Sequence, residues 1–178
     1  TDGGGTAESK ASSATGAVSD IPIINLSTLD GTNGFRLDGV AAGDNSSYQV
    51  SSAGDINGDG YDDLIIGARY ADNNGSNSGS SYVVFGTGNA FASTVNLSTL
   101  EGTNGFRLDG VAAEDFSGTT VSSAGDINGD GYDELIIGAY GADPNGGFSG
   151  SSYVVFGSGN AFASTVNLST LNGTTGFR

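Results

Sequence analysis

Two short loops hold the residues of this chain best suited to chemistry. The first reads Asp55-Ile56-Asn57-Gly58-Asp59-Gly60-Tyr61-Asp62-Asp63. The second reads Asp126-Ile127-Asn128-Gly129-Asp130-Gly131-Tyr132-Asp133-Glu134. Side-chain oxygens at the first, third and fifth positions converge when such a loop curls around one point. The sixth-position Gly permits the sharp turn, the seventh-position carbonyl faces the same point, and the ninth-position carboxylate closes the shell. About six hard oxygens suit Ca²⁺, whereas Mg²⁺ retains water and demands a strict octahedron. The expected ligands are Asp55, Asn57, Asp59, the Tyr61 carbonyl and Asp63, then Asp126, Asn128, Asp130, the Tyr132 carbonyl and Glu134, one Ca²⁺ per loop. An EF-hand needs Glu at position twelve and a helix after it. Ile66 and Ile137 stand there, inside an apolar run. A metal-free Asp/Asn/Gly hairpin is the plainer alternative, but it leaves several carboxylates repelling one another in one short loop.

The elements that must position these loops come in copies. Residues 25–95 align with 96–166 without a gap, at a period of 71, with 58 of the 71 positions identical. A third copy begins at Asn167 and runs to Arg178. Each copy holds strand-like runs separated by Gly, Asn, Asp and Ser. They are Gly34–Val40, Gln49–Gly54, Leu64–Ala68 and Ser81–Phe85, then Gly105–Val111, Thr120–Gly125, Leu135–Ala139 and Ser152–Phe156. The LIIGA runs are apolar on both faces, which suits strands buried between neighbouring sheets. No window shows an apolar 3.6 period, so helix is minor at most. About four strands per copy describe a propeller blade or a related β-repeat. Residues 1–20 have few large apolar side chains and read as a flexible low-complexity leader.

Composition removes other chemistries. There is no Cys or His, hence no disulfide, thiolate zinc site or Ser-His-Asp triad. Lys10 is the only Lys, so no Ser has a basic partner to activate it, and no enzyme activity is expected. The formal charge is −15, which repels phosphate backbones and makes nucleic acid an unsuitable partner. No run of about 20 apolar residues exists, so no helical membrane insertion is expected. Sixteen of the 20 acids are Asp, a residue of caps and turns.

The segments GDINGDGYDDLIIGA and GDINGDGYDELIIGA, each with SSYVVFG downstream, resemble FG-GAP repeats. Such repeats form the blades of the integrin α-subunit propeller and occur in bacterial extracellular proteins. The resemblance covers roughly residues 25–178. It implies an all-β fold of tandem four-stranded antiparallel propeller-type blades, with two full 71-residue units and partial flanking ones. It implies Ca²⁺ at the ten loop positions named above. It also implies a non-catalytic, secreted or cell-surface module with a structural or adhesive role, calcium rigidifying each blade. The expected division is a leader (1–20), the end of a preceding blade (21–43), blade 1 (44–110) and a blade 2 truncated in its last strand (111–178). Expected partners are neighbouring blades or protomers of the same protein, a cell-surface protein, or a glycan. The chain departs from the family at its Phe-Gly, which is Ser46-Ser47 and Ser117-Gly118 here. It departs again at Gly-Ala-Pro, which is Gly67-Ala68-Arg69 and Gly138-Ala139-Tyr140. Glu134 is longer than the Asp63 it replaces, which bears on how that loop would bind.

Closed propellers typically need four to eight blades. Two full units are therefore expected to belong to a longer array or to be completed by neighbours. Two alternative functions follow. One is the protomer of an extracellular filament, joined head to tail through blade edges or a donated N-terminal strand. The other is a sugar-binding propeller fragment. Arg36 with Asp38, and Arg107 with Asp109, are expected as surface ion pairs beside core Phe and Leu. In SYVVF, one alternating set should be core and the other should pack between blades. The two copies differ at 13 positions, ten of them within 43–49 and 69–77 of the first copy. Those loops either tolerate change or carry contacts. Asn-x-Ser/Thr at Asn25, Asn45, Asn74, Asn96, Asn167 and Asn172 hints weakly at glycosylation.

Overall fold

A computed structural model describes residues 24–178. The expected leader and the first three residues of the 21–43 segment lie outside the described residues. Among the described residues the fold is all-β, with three short 3₁₀ turns as the helical content. The strands are β1 (Arg36–Asp38), β2 (Gln49–Gly54), β3 (Asp63–Ala68), β4 (Ser80–Val84), β5 (Thr94–Asn96), β6 (Gly105–Asp109), β7 (Ser117–Gly125), β8 (Glu134–Ala139), β9 (Ser151–Val155), β10 (Thr165–Asn167) and β11 (Gly176–Phe177).

Two antiparallel blades result. In blade 1, β2, β3, β4 and β6 are neighbours in that order; in blade 2, β7, β8, β9 and β11 are. Loops of 8 and 11 residues join the first three strands of each, a direct connection that antiparallel neighbours permit. The chain then leaves the blade before returning as its outer strand. On that detour β5 pairs in parallel with β1, and β10 pairs in parallel with β6. Each detour therefore adds a strand to the outer edge that precedes it. The Asn-Leu-Ser-Thr sequence after it forms a 3₁₀ turn whose Asn side chain accepts the N–H of the Ser two residues on.

Three sequence expectations need correction. The Gly34–Val40 run is strand only over Arg36–Asp38, and Gly105–Val111 ends at Asp109. The Thr120–Gly125 run starts earlier, at Ser117, and carries two register shifts. The β5 and β10 strands were not expected. Three residues in a Ser/Thr/Asn context offer no period, and their partners lie 58 residues earlier in the chain.

The core is the seam between the blades. Ile65, Val83, Phe85, Phe106 and Leu108 of blade 1 pack against Val121, Leu135, Ile137, Tyr153 and Val155 of blade 2. The opposite face of blade 1, with Ile66, Tyr82 and Val84, packs on Leu97 and, beside it, Leu37, Phe91 and Leu100. Successive strand residues point to opposite faces, so Ile65 and Ile66 are buried in different clusters. In the first copy of SYVVF, Val83 and Phe85 join the seam and Tyr82 and Val84 the opposite cluster; in the second, Tyr153 and Val155 join the seam and Val154 and Phe156 join neither, so the expected contrast of core against inter-blade packing gives way to a core that is itself the inter-blade seam. Arg36 and Asp38 form an exposed ion pair at 2.7 Å. The Arg107–Asp109 pair has the same spacing but is largely buried, and Asp109 also accepts from Ser80 Oγ at 2.8 Å.

Matched positions test the seam. Ile65 is 0% exposed and its repeat counterpart Ile136 is 37% exposed. Ile65→Ala is expected to lower unfolding free energy by about 2–5 kcal/mol. Ile136→Ala should cost about 1 kcal/mol or less. Urea melts of the two variants check the difference.

Candidate metal centre

The β2–β3 and β7–β8 connections are the two acidic loops. Each winds its backbone around its first Asp. Asp55 accepts from the N–H of Gly58, Asp59 and Gly60 at 2.8, 3.0 and 2.9 Å. Asp126 accepts from Gly129, Asp130 and Gly131 at 2.7, 3.1 and 3.0 Å. Asn57 and Asn128 each accept the N–H two residues on, as do Asp59 and Asp130. These are Asx turns, the local bonds for which Asp and Asn are suited. The sixth positions, Gly60 and Gly131, have φ of +88° and +90°, a conformation that favours glycine. The Tyr61 and Tyr132 rings lie against Gly88 and Gly159.

The ninth positions differ between loops. Asp63 is fully buried, with Oδ1 accepting from Gly86 N–H at 2.7 Å and Oδ2 from Ile56 N–H at 3.1 Å. Burial pushes its carboxyl up to about 7, and the nearby Asp59 and Asp55 add to this, against the two N–H bonds. Glu134 is also fully buried, and one of its oxygens accepts from Ile127 N–H at 2.7 Å. Its extra methylene lets the other oxygen reach into the loop, 3.3 Å from Asn128 Nδ2. Asp126, Asp130 and Glu134 each bring an oxygen within 4.8 Å of the other two, the one such group among the described residues. The structure thus brings the three acids of the second loop together more closely than Asp55, Asp59 and Asp63, because Asp63 is turned toward backbone N–H groups. In both loops the available donors are hard oxygens, a set that fits Ca²⁺.

One contact between the loops escaped the sequence reading. Asp133 reaches across the seam to the other loop: its Oδ2 accepts Asp55 N–H at 2.9 Å, and its own N–H donates to Asp55 O at 3.2 Å. Ser158 N–H donates to Ile56 O at 2.9 Å, and Ile56 is buried where its counterpart Ile127 is 53% exposed. The Tyr132 ring lies so close to Gly58 that a Cβ there would be 2.3 Å away. The only sequence signal was the glycine at 58, which a turn also explains.

The FG-GAP repeat profile matches residues 47–84 and 117–155, which hold the first three strands of each blade and both acidic loops. The chain is an FG-GAP repeat protein. It is 34% identical to integrin alpha-6 of Gallus gallus over 127 residues, 71% of this chain. It is 32% identical to integrin alpha pat-2 of Caenorhabditis briggsae over 122 residues, 66% of this chain. It is 31% identical to integrin alpha-PS5 of Drosophila melanogaster over 110 residues, 58% of this chain. The chain spans about one tenth of the length of these relatives, 9–10% of each. Among the described residues, no helix is long and apolar enough to cross a membrane.

The contact between the FG-GAP loops has a matched test. Gly58 and Gly129 both have positive φ, +73° and +76°, but Gly129 has nothing within 4 Å of an added Cβ. In chelator, Gly129→Ala is expected to cost about 1–2 kcal/mol for its backbone alone. Gly58→Ala should cost about 1–3 kcal/mol more, because the Tyr132 ring must move. Chemical denaturation of the pair measures the difference.

Proposed function

We propose that this chain is a non-catalytic, extracellular FG-GAP module that binds Ca²⁺ in its two acidic loops and serves a structural or adhesive role. The observation that carries the reading is the convergence of Asp126, Asp130 and Glu134 oxygens in the β7–β8 loop. The similarity to integrin alpha chains supports a non-enzymatic, adhesion-type module at the cell surface or outside the cell. Asp126, Asn128, Asp130, the Tyr132 carbonyl and Glu134 would hold one ion. Asp55, Asn57, Asp59, the Tyr61 carbonyl and Asp63 would hold the other. The cation supplies positive charge to carboxylates that otherwise repel one another. Asp63, buried beside two further acids, is the group whose ionised form gains most from it. Because the loops join the first two strands of each blade, an ion that orders them stabilises the folded chain by mass action. Partners on this reading are further blades of the same kind and a cell-surface protein or glycan.

Calorimetric titration of Ca²⁺ into chelator-treated protein should show two sites, with Mg²⁺ binding more weakly. At free Ca²⁺ about 100 times Kd, each site should add about 2.7 kcal/mol of stability. Asp130→Ala should abolish the second site and its share of the stabilisation. A melting curve unchanged by EDTA and Ca²⁺ would overturn the reading.

A further inference from the structure

The eighth position of the second loop serves the first loop. Asp133 stands between Tyr132, whose carbonyl is a proposed ligand, and Glu134, whose carboxylate closes the same shell. The Asp133 carboxylate is not among the proposed ligands. Its Oδ2 accepts Asp55 N–H at 2.9 Å, and its own N–H donates to Asp55 O at 3.2 Å. Asp55 is the residue around which the first loop winds and the first of that loop's proposed ligands. The peptide groups on both sides of Asp55 are thus held by one residue of the next blade.

The closing end of the first shell is held from the same side. Ser158 N–H donates to Ile56 O at 2.9 Å, and Ile56 N–H donates to Asp63 Oδ2 at 3.1 Å. A Cβ on Gly157 would lie 2.8 Å from Ile56 O and 2.5 Å from Asp133 O, so the chain after β9 is wedged between the two loops. The loops are not equally ready for an ion. Asp126, Asp130 and Glu134 already bring oxygens within 4.8 Å of one another, and among the described residues the acids of the first loop form no such group. An ion in the second loop clamps Tyr132 and Glu134, which leaves Asp133 little freedom. Asp55 is then already ordered when the first loop receives its ion. Charge does not oppose this order of filling. The three ligand carboxylates of the second loop outweigh the double charge of its ion, so the filled loop still attracts cations.

We infer that Asp133 is a positioning residue for the ion of the first loop, and that through it an ion in the second loop raises the affinity of the first. The inference rests on the assignment of Ca²⁺ to both loops. By linkage, the first ion raises the affinity of the second loop by the same factor. The coupling narrows the range of Ca²⁺ over which the two loops become ordered.

Calorimetric titration of chelator-treated chains tests this. Asp130→Ala leaves only the first loop able to bind, and Asp59→Ala leaves only the second. The product of the two association constants of the intact chain should exceed the product of the single-site constants at least about fivefold. Asp133→Ala, added to all three chains, should bring that ratio to about one. Asp133→Asn, which keeps an acceptor for Asp55 N–H without the charge, should preserve it. Hydrogen exchange reads the contact itself. In Asp59→Ala, Ca²⁺ fills only the second loop, yet exchange of the Asp55 amide should slow at least about fivefold when Ca²⁺ is added. With Asp133→Ala added, Ca²⁺ should leave that amide unchanged. Should Asp133→Ala unfold the chain, the ratio without it and the Asp55 exchange in Asp59→Ala decide the matter. Two ions bound with a ratio of about one in the intact chain overturn the coupling and leave the ion sites standing. A ratio that survives Asp133→Ala overturns the role of Asp133. No Ca²⁺ uptake by the intact chain overturns the ion sites and the coupling with them.

Discussion

Ile65 and Ile66 stand next to each other in β3, face opposite ways, and are both fully covered. That pair states the constraint on which this molecule rests. A blade apolar on both faces cannot bury itself, so each face needs a neighbour. The front of blade 1 finds it in blade 2; its back finds it in the Leu97 turn, Leu100 and β1. Non-directional burial alone would leave the blades free to slide. Directional bonds fix the register: β10 pairs residue by residue with β6, and Ser117 binds the backbone of Ser78. Phe162 of the detour stacks on Phe106 at 4.4 Å, so the added strand is held by a side chain as well as by its ladder.

The acidic loops sit at the end of this same seam, which couples their order to blade packing. Asp55 is at once the centre of its own loop and the backbone partner of Asp133 in the next. A cation that orders the second loop therefore fixes Asp133 and Tyr132, and through them the first loop. The coupling is reciprocal, since a well-packed seam lowers the entropy left for the ion to remove. The two loops enter it differently. Asp63 is committed to two backbone N–H groups, whereas Glu134 spends one oxygen on Ile127 and extends the other toward Asn128.

What the sequence disclosed follows from what is local. Gln49–Gly54 has the bounds read for it, because turn residues close it at both ends. The curl of the acidic loops was legible because their spacing is short and the Asx turns that shape them are made within nine residues. What escaped is non-local. β10 lies 58 residues beyond the strand it joins, and Asp133 binds a loop 78 residues away. Local patterns find neither, since β10 and β6 lie far apart within one copy and Asp133 binds in the other copy. Glu134 was visible as a longer side chain, but its effect depends on which N–H groups lie in reach, and only the folded loop decides that.

The differences between the copies become informative once the seam is known. Exposed loops that merely drift would accumulate differences all round the blade. Here Glu114, Phe116 and Gly118 of the second copy meet or adjoin Asn77, Tyr70 and Ser80 of the first, so differences gather where one blade touches the next. The identities carry the complementary message. Ile127 and Ile136 keep the residue types of Ile56 and Ile65 although they are exposed here. A surface facing only water gains nothing from matching a buried one, and clustered exposed apolar groups promote non-specific association.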